Sequence, residues 1–492
     1  MEYEPVIGLE VHVQLATATK LFCGCPTRFG APPNTQTCPV CLGLPGVLPV
    51  LNERAFEWGI KVALAFDCRP AETMKFDRKQ YYYPDLPKNY QISQYDQPLS
   101  NDGHLDVVVN GEMKRIGIHR IHMEEDAGKL FHDAQAPFSY VDFNRAGVPL
   151  LEIVSEPDLR SPEDAYQYLL ELKGLLEYLD VSTCNMEEGS LRCDANVSLR
   201  PAPPSAGSST VPIPFGAKVE IKNLNSFKAV KAALEYEIQR QARELDQGAR
   251  IPQETRLWDA KALKTEPMRS KEGASDYRYF PEPDLVPFVV ARQVVEAVRK
   301  TLPERPAERR TRLAAAYGLS TYDAQVLTQH RRLAEVFERA VALYQKPKPV
   351  VNWVMGELLG YANAQGKEPE DIHLEPAWLV HLLEAIDRGT ISGKMAKGLF
   401  VQSIERQQDP ARIIEETNLR QIVDTGELER LVDEVLADPG SAASVQAYRK
   451  GKANALMFLV GQSMARSKGK ANPRQVTDIL KRKLADGKEV VS

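Results

Sequence analysis

The chain has none of the short signatures by which most nucleotide enzymes hold a phosphate. No Gly-x4-Gly-Lys-Ser/Thr loop and no Gly-x-Gly-x-x-Gly fingerprint occurs, which removes P-loop and dinucleotide-cradle readings. No Gly-x-Ser-x-Gly elbow occurs either, and no cysteine stands in a nucleophile context. Gly207-Ser208-Ser209 resembles an amidase serine run, but it lies in a Pro/Ser/Gly-rich stretch and reads as a linker. No apolar run approaches the ~18 residues of a membrane span. Met1–Pro5 carries acids and no hydrophobic targeting core, so a cytoplasmic protein is expected. An excess of positive charge is missing too: the net charge is −5, and the molecule as a whole is no basic nucleic-acid binder. The seven cysteines are an odd number, unsuited to a disulfide framework and expected to stay reduced.

What is present is ordinary in bulk and specific in pattern. The 492 residues exceed one core, while 43% hydrophobic and 26% charged content are globular values. Residues 1–290 are rich in short strands, turns and prolines. Residues 291–405 show apolar positions at three- and four-residue spacing, punctuated by proline. Residues 406–492 read as a small all-helical unit. The expectation is an α+β chain: a sheet-rich domain, a helical domain and a helical tail. Within the tail, Arg449 to Leu484 holds ten Lys or Arg against one acid, Asp478, which suggests a polyanion contact. A solvated helical surface is the competing reading. Asn472-Pro473 starts a helix whose buried stripe is Val476, Ile479, Leu480 and Leu484.

Three stretches alternate strictly. In Val6 to Leu15 the odd positions are apolar and the even ones include Glu10, His12 and Gln14. In Ser190 to Arg200, Leu191, Cys193, Ala195, Val197 and Leu199 oppose Arg192, Asp194, Asn196 and Ser198. In Lys218 to Lys222, Val219 and Ile221 oppose Lys218, Glu220 and Lys222. Alternation of period two means half-buried strands. A polar strand face is often only solvated, but Asp194 sits next to Arg192 and Glu220 between Lys218 and Lys222. The faces read as a floor for a metal and a phosphate, since Mg²⁺ takes one or two carboxylates plus substrate phosphates.

Other stretches are dense in chemistry. Cys23-Gly-Cys25 and Cys38-Pro-Val-Cys41 stand twelve residues apart on a Gly/Pro-rich loop, a spacing suited to closed tetrahedral zinc. Cys68, Cys184 and Cys193 read as core. His119 to Lys129 places Arg120, His122 and Glu124 on one strand face, with Glu125 and Asp126 where the strand turns; a metal or ATP contact and a charged strand end are equal readings. Phe76 to Lys88, and Asp276 to Asp284, mix bases with aromatics, which stack on nucleobases and pair with phosphate but also form packing seams.

Val6 to Val13, Phe76 to Pro87, His122 to Lys129, Glu152-Ile-Val-Ser-Glu-Pro-Asp158, Met186 to Asn196, Glu220 to Ser226 and Asp276 to Asp284 together resemble the B subunits of the tRNA-dependent Asp/Glu amidotransferases, GatCAB. The tail, with Gly461-Gln462 and Lys468 to Pro473, is similar to their YqeY-like domain. The resemblance spans essentially the whole chain. It implies a ligase that uses ATP and Mg²⁺ to phosphorylate the side-chain carboxylate of Glu-tRNA(Gln) or Asp-tRNA(Asn), then amidates it. Ammonia would come from the amidase of the complex, its A component, and a small C component would strap the amidase to this chain. Carried over residue by residue, it implies a catalytic and magnesium site of Glu10, His12, Asp194 and Glu220, with Glu124 or Glu125. Alternation favours Glu124, and a turn would present Glu125. His12 either binds metal or positions water or a carboxylate. Arg192, Lys218 and Lys222 would neutralise phosphate, and Lys79 and Tyr82 would meet the nucleotide or the tRNA end. Structural zinc at Cys23, Cys25, Cys38 and Cys41 is implied without being needed for catalysis, because some members lack the cysteines. The alternative is a non-catalytic tRNA-binding scaffold of the same complex; a zinc hydrolase is disfavoured by the closed thiolate set.

Overall fold

The structure is a computed structural model that describes residues 2–132, 137–202, 214–268, 277–417, 422, 424–467 and 470–486. Gly207-Ser208-Ser209, Asp276 and Lys468 lie outside the described residues. The chain forms two compact units, Met1–Arg305 and Pro306–Ser492.

The first unit is built on one sheet. Its strands are β1 (Tyr3–Gln14), β2 (Arg69–Pro70), β3 (Ser100–Val109), β4 (Glu112–Glu125), β5 (Pro149–Ser155), β6 (Leu191–Pro201), β7 (Val219–Leu224), β8 (Glu254–Asp259) and β9 (Lys264–Pro267). Their spatial order is β9-β8-β7-β6-β1-β5-β4-β3-β2. All pairs are antiparallel except β7 with β8. The three alternating stretches therefore become three adjacent strands, β7, β6 and β1. Their apolar positions, including Ile7, Leu9, Val11, Cys193, Ala195, Val197 and Ile221, point into one core with the helices α1 (Glu53–Ala65), α2 (Pro162–Leu179) and α3 (Phe227–Asp246). Burying each large side chain there contributes about 2 kcal/mol, so a one-residue register slip would forfeit the whole row. The opposite face carries the polar positions.

Local sequence sets the helix starts. Ser161 Oγ accepts from the Asp164 N–H at 3.1 Å, with Pro162 at the first position. Ser226 Oγ accepts from the Ala229 N–H at 3.1 Å ahead of α3. Each cap is worth ~1 kcal/mol. A smaller three-stranded sheet, Asp77–Gln80, Tyr90–Ser93 and Phe280–Pro281, leans on the end of β4. Ile92 N–H donates to Glu125 Oε1 there at 2.9 Å. Cys68, Cys184 and Cys193 are buried in the main core, where burial pushes the thiols of Cys68 and Cys184 up to about 12.

The second unit is helical and has two hydrophobic clusters. One runs from Leu313 to Ile414, the other from Leu428 to Leu484. In the latter, Asn472 Oδ1 caps the helix Pro473–Asp486 by accepting from the Arg474 N–H at 3.0 Å, and Val476, Ile479, Leu480 and Leu484 form the buried stripe. The whole chain is thus α+β, a large sheet unit followed by helices. No described helix is long and apolar enough to cross a membrane.

Candidate functional site

The tightest cluster lies where β1, β5 and β4 run side by side on the polar face. In register, His12 is opposite Glu152, and Glu152 is opposite His122. Directly opposed antiparallel side chains stand ~5 Å apart at Cβ, so one carboxylate falls between two imidazoles. Glu152 Oε2 is 3.4 Å from His12 Nε2 and 3.2 Å from His122 Nε2. Glu124, two positions beyond His122 on the same face, completes the group. Its carboxylate is 3.9 Å from His12 Nε2 and 3.8 Å from His122 Nε2, and accepts from Ser93 Oγ at 3.1 Å. One ligand atom each from His12, Glu124 and Glu152 all fit within 4.8 Å of one another. One imidazole and two carboxylates around such a gap form an oxygen-rich donor set, the kind a hard divalent cation takes.

This part of the face is not wet. His122 and Glu124 are each only 2% exposed. Burial alone would lower the imidazole of His122, but Glu152 and Glu124 outweigh it and raise it to about 9. His12 is raised in the same way, burial opposing and Glu152 prevailing. Burial would raise Glu124; Lys79 and His122 hold it below its ordinary value instead. Glu152 is likewise held well below, by His122 and His12 against burial. Without a cation the cluster balances its charge with imidazolium. A bound cation would take over that balance and leave both rings neutral.

Glu10, Asp194 and Glu220 sit beside this cluster on the same face, along β1, β6 and β7. Glu10 is opposite Asp194, and Asn196 is opposite Glu220. Asn196 Nδ2 donates to Glu10 Oε1 at 2.9 Å. Its Oδ1 is buried without a hydrogen bond among the described residues, an oxygen acceptor suited to a cation. Lys222 Nζ bridges the two acids, 2.8 Å from Asp194 and 3.0 Å from Glu220. It holds Glu220 below its ordinary value against burial, and the acids raise Lys222 in turn. Glu10 and His12 are two residues apart on one strand, ~7 Å. The structure thus places two neighbouring polar patches on one sheet face.

Other predicted residues lie at different distances from these patches. Arg192 is opposite His12 in register, with Nη2 2.8 Å from Asp126 Oδ1. Asp126 also accepts from Gln14 Nε2 at 2.6 Å. Lys79 is raised: burial opposes, but Glu124 dominates among the charges that favour its ammonium. Its Nζ lies 4.9 Å from the centre of the Tyr277 ring. Lys218 is exposed and lines a cavity of about 330 Å³ with Gly8, Glu10, Pro157, Asn196 and Phe215. Tyr82 is exposed.

Glu125 points elsewhere. Its carboxylate is taken by the Lys88 ammonium and the Ile92 N–H. It lines a different cavity of about 190 Å³ with Cys23, Cys41, Lys88 and Tyr90. Alternation along β4 sends Glu124 and Glu125 to opposite sides, and Glu124 alone of the two joins the ligand group. The four sulfurs of Cys23, Cys25, Cys38 and Cys41 all lie within 4.8 Å of one another, which accommodates Zn–S bonds of ~2.3 Å in a tetrahedron. Cys41 Sγ also receives the Cys38 N–H at 3.2 Å and the buried Lys20 ammonium at 3.6 Å. Together with a hydrogen bond from Cys23, these draw the Cys41 thiol well below its ordinary value.

Glu152 is the site residue that the alternation pattern does not mark. Its strand is otherwise apolar up to the terminal Ser155, and Leu150 and Val154 flank it on the same face. The usable signal was its isolation: a lone carboxylate in a largely buried strand must have partners.

Similarity to known proteins extends over the whole chain. The family model described as the GatB/GatE catalytic domain matches residues 5–296. A second, described as the GatB domain, matches residues 335–484. The chain is 56% identical to the B subunit of the aspartyl/glutamyl-tRNA(Asn/Gln) amidotransferase of Carboxydothermus hydrogenoformans over 98% of this chain and 99% of that one. It is 53% identical to the protein of the same name from Caldanaerobacter subterraneus, over 99% and 100%. For the one from Moorella thermoacetica the identity is 55%, over 98% and 100%.

Proposed function

Since the chain belongs to the family of B subunits of the aspartyl/glutamyl-tRNA amidotransferases, we propose that it activates the side-chain carboxylate of Glu-tRNA(Gln) or Asp-tRNA(Asn) with ATP and amidates it with ammonia. A carboxylate resists attack by ammonia because its charge is delocalised and its leaving group is oxide. Transfer of the γ-phosphoryl group to it creates an acyl phosphate. Ammonia then adds to the carbonyl, phosphate departs, and the amide nitrogen loses its extra proton. Phosphoryl transfer is mostly positioning and charge neutralisation, and the polar sheet face is equipped for both.

The observation that carries this reading is the His12–Glu124–Glu152 group with its ligand atoms within 4.8 Å. These residues would hold Mg²⁺. Glu10, Asp194 and Glu220, with the unpartnered Oδ1 of Asn196, would hold a second cation or its water shell beside it. Magnesium, when bound, supplies neutralisation of the phosphate oxygens. Lys222, freed from the two acids as a cation takes its place, would turn to phosphate. Arg192 and Lys218 add positive charge on either side. The cavity of about 330 Å³ bordered by Gly8, Phe215 and Lys218 is large enough for a nucleoside and is also lined by Glu10. With a cation bound, His12 would be neutral and able to hold it, and the cation would keep the neighbouring carboxylates ionised.

The four cysteines would hold zinc. A tetrathiolate site carries excess negative charge, and the fully buried Lys20 ammonium against Cys41 offsets part of it. The metal would fix the loop of residues 23–41 and has no open position for catalysis. Glutamine hydrolysis would fall to a partner amidase, the A component of such complexes, held in place by the small C component. That division is consistent with the absence of an amide-hydrolysing nucleophile here. The basic tail unit, residues 424–486, would hold the body of the tRNA, and the complex would work in the cytoplasm. The test is ATP consumption by the purified complex with Glu-tRNA(Gln) and Asp-tRNA(Asn) in turn, using ammonium as nitrogen source. Stoichiometric ATP cleavage dependent on the mischarged tRNA supports the reading; amidation without ATP cleavage refutes it.

A further inference from the structure

The polar sheet face has a half-buried cation, Arg120, that the site does not use and that no carboxylate pairs among the described residues. Arg120 lies on β4, two positions before His122 and four before Glu124, on the same face. It is opposite Val154, which is opposite Glu10. Arg120 therefore stands one row outside the ligand group, ~7 Å along the strand from His122. Its Nη1 reaches only the carbonyl of Tyr95, at 3.3 Å, and its Nε is buried without a hydrogen bond. The other cations of this face are paired or exposed: Arg192 has Asp126, Arg200 has Glu4 and Lys222 has two acids, while Lys218 is exposed. A guanidinium partly withdrawn from water without an anion is unfavourable unless an anion arrives.

The Tyr95 carbonyl belongs to an aromatic platform. The rings of Tyr95 and Tyr279 stack with centroids 4.4 Å apart and planes 10° from parallel. Tyr279 meets the edge of Tyr277 at 6.0 Å, and Tyr277 in turn covers Lys79. Ser93, two residues before Tyr95, donates from its Oγ to Glu124 at 3.1 Å, which sets the platform beside the ligand group. Tyr95 remains 53% exposed although one of its faces is covered by Tyr279. More than half of the residue thus stays accessible, beside a guanidinium that no described carboxylate pairs. Flat apolar area next to a free cation is the chemistry that binds a nucleobase and the phosphate attached to it.

We propose that Tyr95, stacked on Tyr279, and Arg120 hold the 3′-terminal nucleoside of the aminoacyl-tRNA and its phosphate. This inference rests on the activity proposed above. The amino acid is esterified to the terminal ribose, so the base must sit within reach of the ribose and the aminoacyl arm from the reacting carboxylate, outside the metal patch. The platform has that position. Adenine could also come from ATP, since the cavity bordered by Gly8, Phe215 and Lys218 extends to Val154, the residue opposite Arg120; the KM for ATP separates the two sources.

The experiment uses the assembled complex with ammonium as nitrogen donor, and separately tRNA binding without ATP. Tyr95→Ala should raise the KM for mischarged tRNA about tenfold, within the range for loss of one stacked base, with the KM for ATP unchanged. Tyr95→Phe should restore it. Arg120→Ala should act in the same direction, and Arg120→Lys should recover part of the loss. In the ATP-free assay, removing the 3′-terminal adenosine from the tRNA should weaken binding to the wild-type complex and not to the Tyr95→Ala complex. A rise in the KM for ATP, or equal loss from the truncated tRNA in both complexes, overturns the proposal. The ATP-free arm remains informative even if the activation chemistry is assigned wrongly.

Discussion

The Glu152 carboxylate stands 3.4 Å from the Nε2 of His12, directly opposite it on the neighbouring strand. Two separated segments thereby share one charge, and each fixes the other's protonation. Glu152→Gln keeps the volume and removes the charge. The Mg²⁺ concentration for half-maximal ATP cleavage should then rise at least about tenfold. An unchanged magnesium dependence in steady-state assays would remove Glu152 from the metal site.

Asp194 shares Lys222 with Glu220. Asp194→Ala should lower ATP-dependent phosphorylation of mischarged tRNA by about a hundredfold or more, while glutamine hydrolysis by the partner amidase stays intact. Measuring both rates on the same complex separates loss of chemistry from loss of assembly. Full transamidation by this variant would eliminate Asp194 from the mechanism.

Purified protein should carry about one zinc per chain by elemental analysis, as a four-thiolate site requires, and Cys41→Ser should lose it. A site saturated a thousandfold contributes about 4 kcal/mol to stability. Chelation should therefore lower the midpoint of thermal unfolding of the wild type and leave the variant unaffected. Only trace metal in the wild type would end the zinc assignment.

Arg305 closes the first unit with a two-point bond to Asp67, at 2.7 and 2.5 Å. That bond holds the Asp67 carboxyl below its ordinary value, against partial burial. A depressed carboxyl contributes stability above its unfolded value of about 3.9, and the contribution is lost as pH falls through the folded value. Asp67→Asn should therefore lower the urea midpoint at neutral pH, and the gap to wild type should close below about pH 4. A gap that is constant from pH 3 to 7 would show that the pair adds no pH-dependent stability.

Removing residues 424–492 should weaken tRNA binding and flatten its salt dependence, by about 0.9 in log–log slope for each phosphate no longer neutralised. Filter binding at several salt concentrations reads both. Equal affinity at every concentration would refute the tail's role.

Much of the site's scaffold was legible in the chain itself. Period-two alternation identified β1, β6 and β7 and the faces of Glu10, His12, Asp194 and Glu220, because a strand half in water must alternate. The cap Asn472 marked a helix start for an equally local reason, since the first N–H groups of a helix need an acceptor. The dryness of the His122–Glu124 end was not legible. Alternation reports which residues share a face, and is silent on what covers that face. Here the small sheet carrying Ser93 and Ile92 leans over it.

By itself, the sequence determined the α+β class, the strand faces, the thiol pairs and the family, all of which follow from local periodicity or from long uninterrupted motifs. Tertiary structure alone decided that Glu152 and not Glu125 joins His12, that Glu125 turns to Lys88, and that Arg120 is left without an acid beside a stacked tyrosine pair. Those outcomes depend on strand order and register, which bring distant segments within hydrogen-bond reach. No spacing along one chain encodes which strand becomes the neighbour of which.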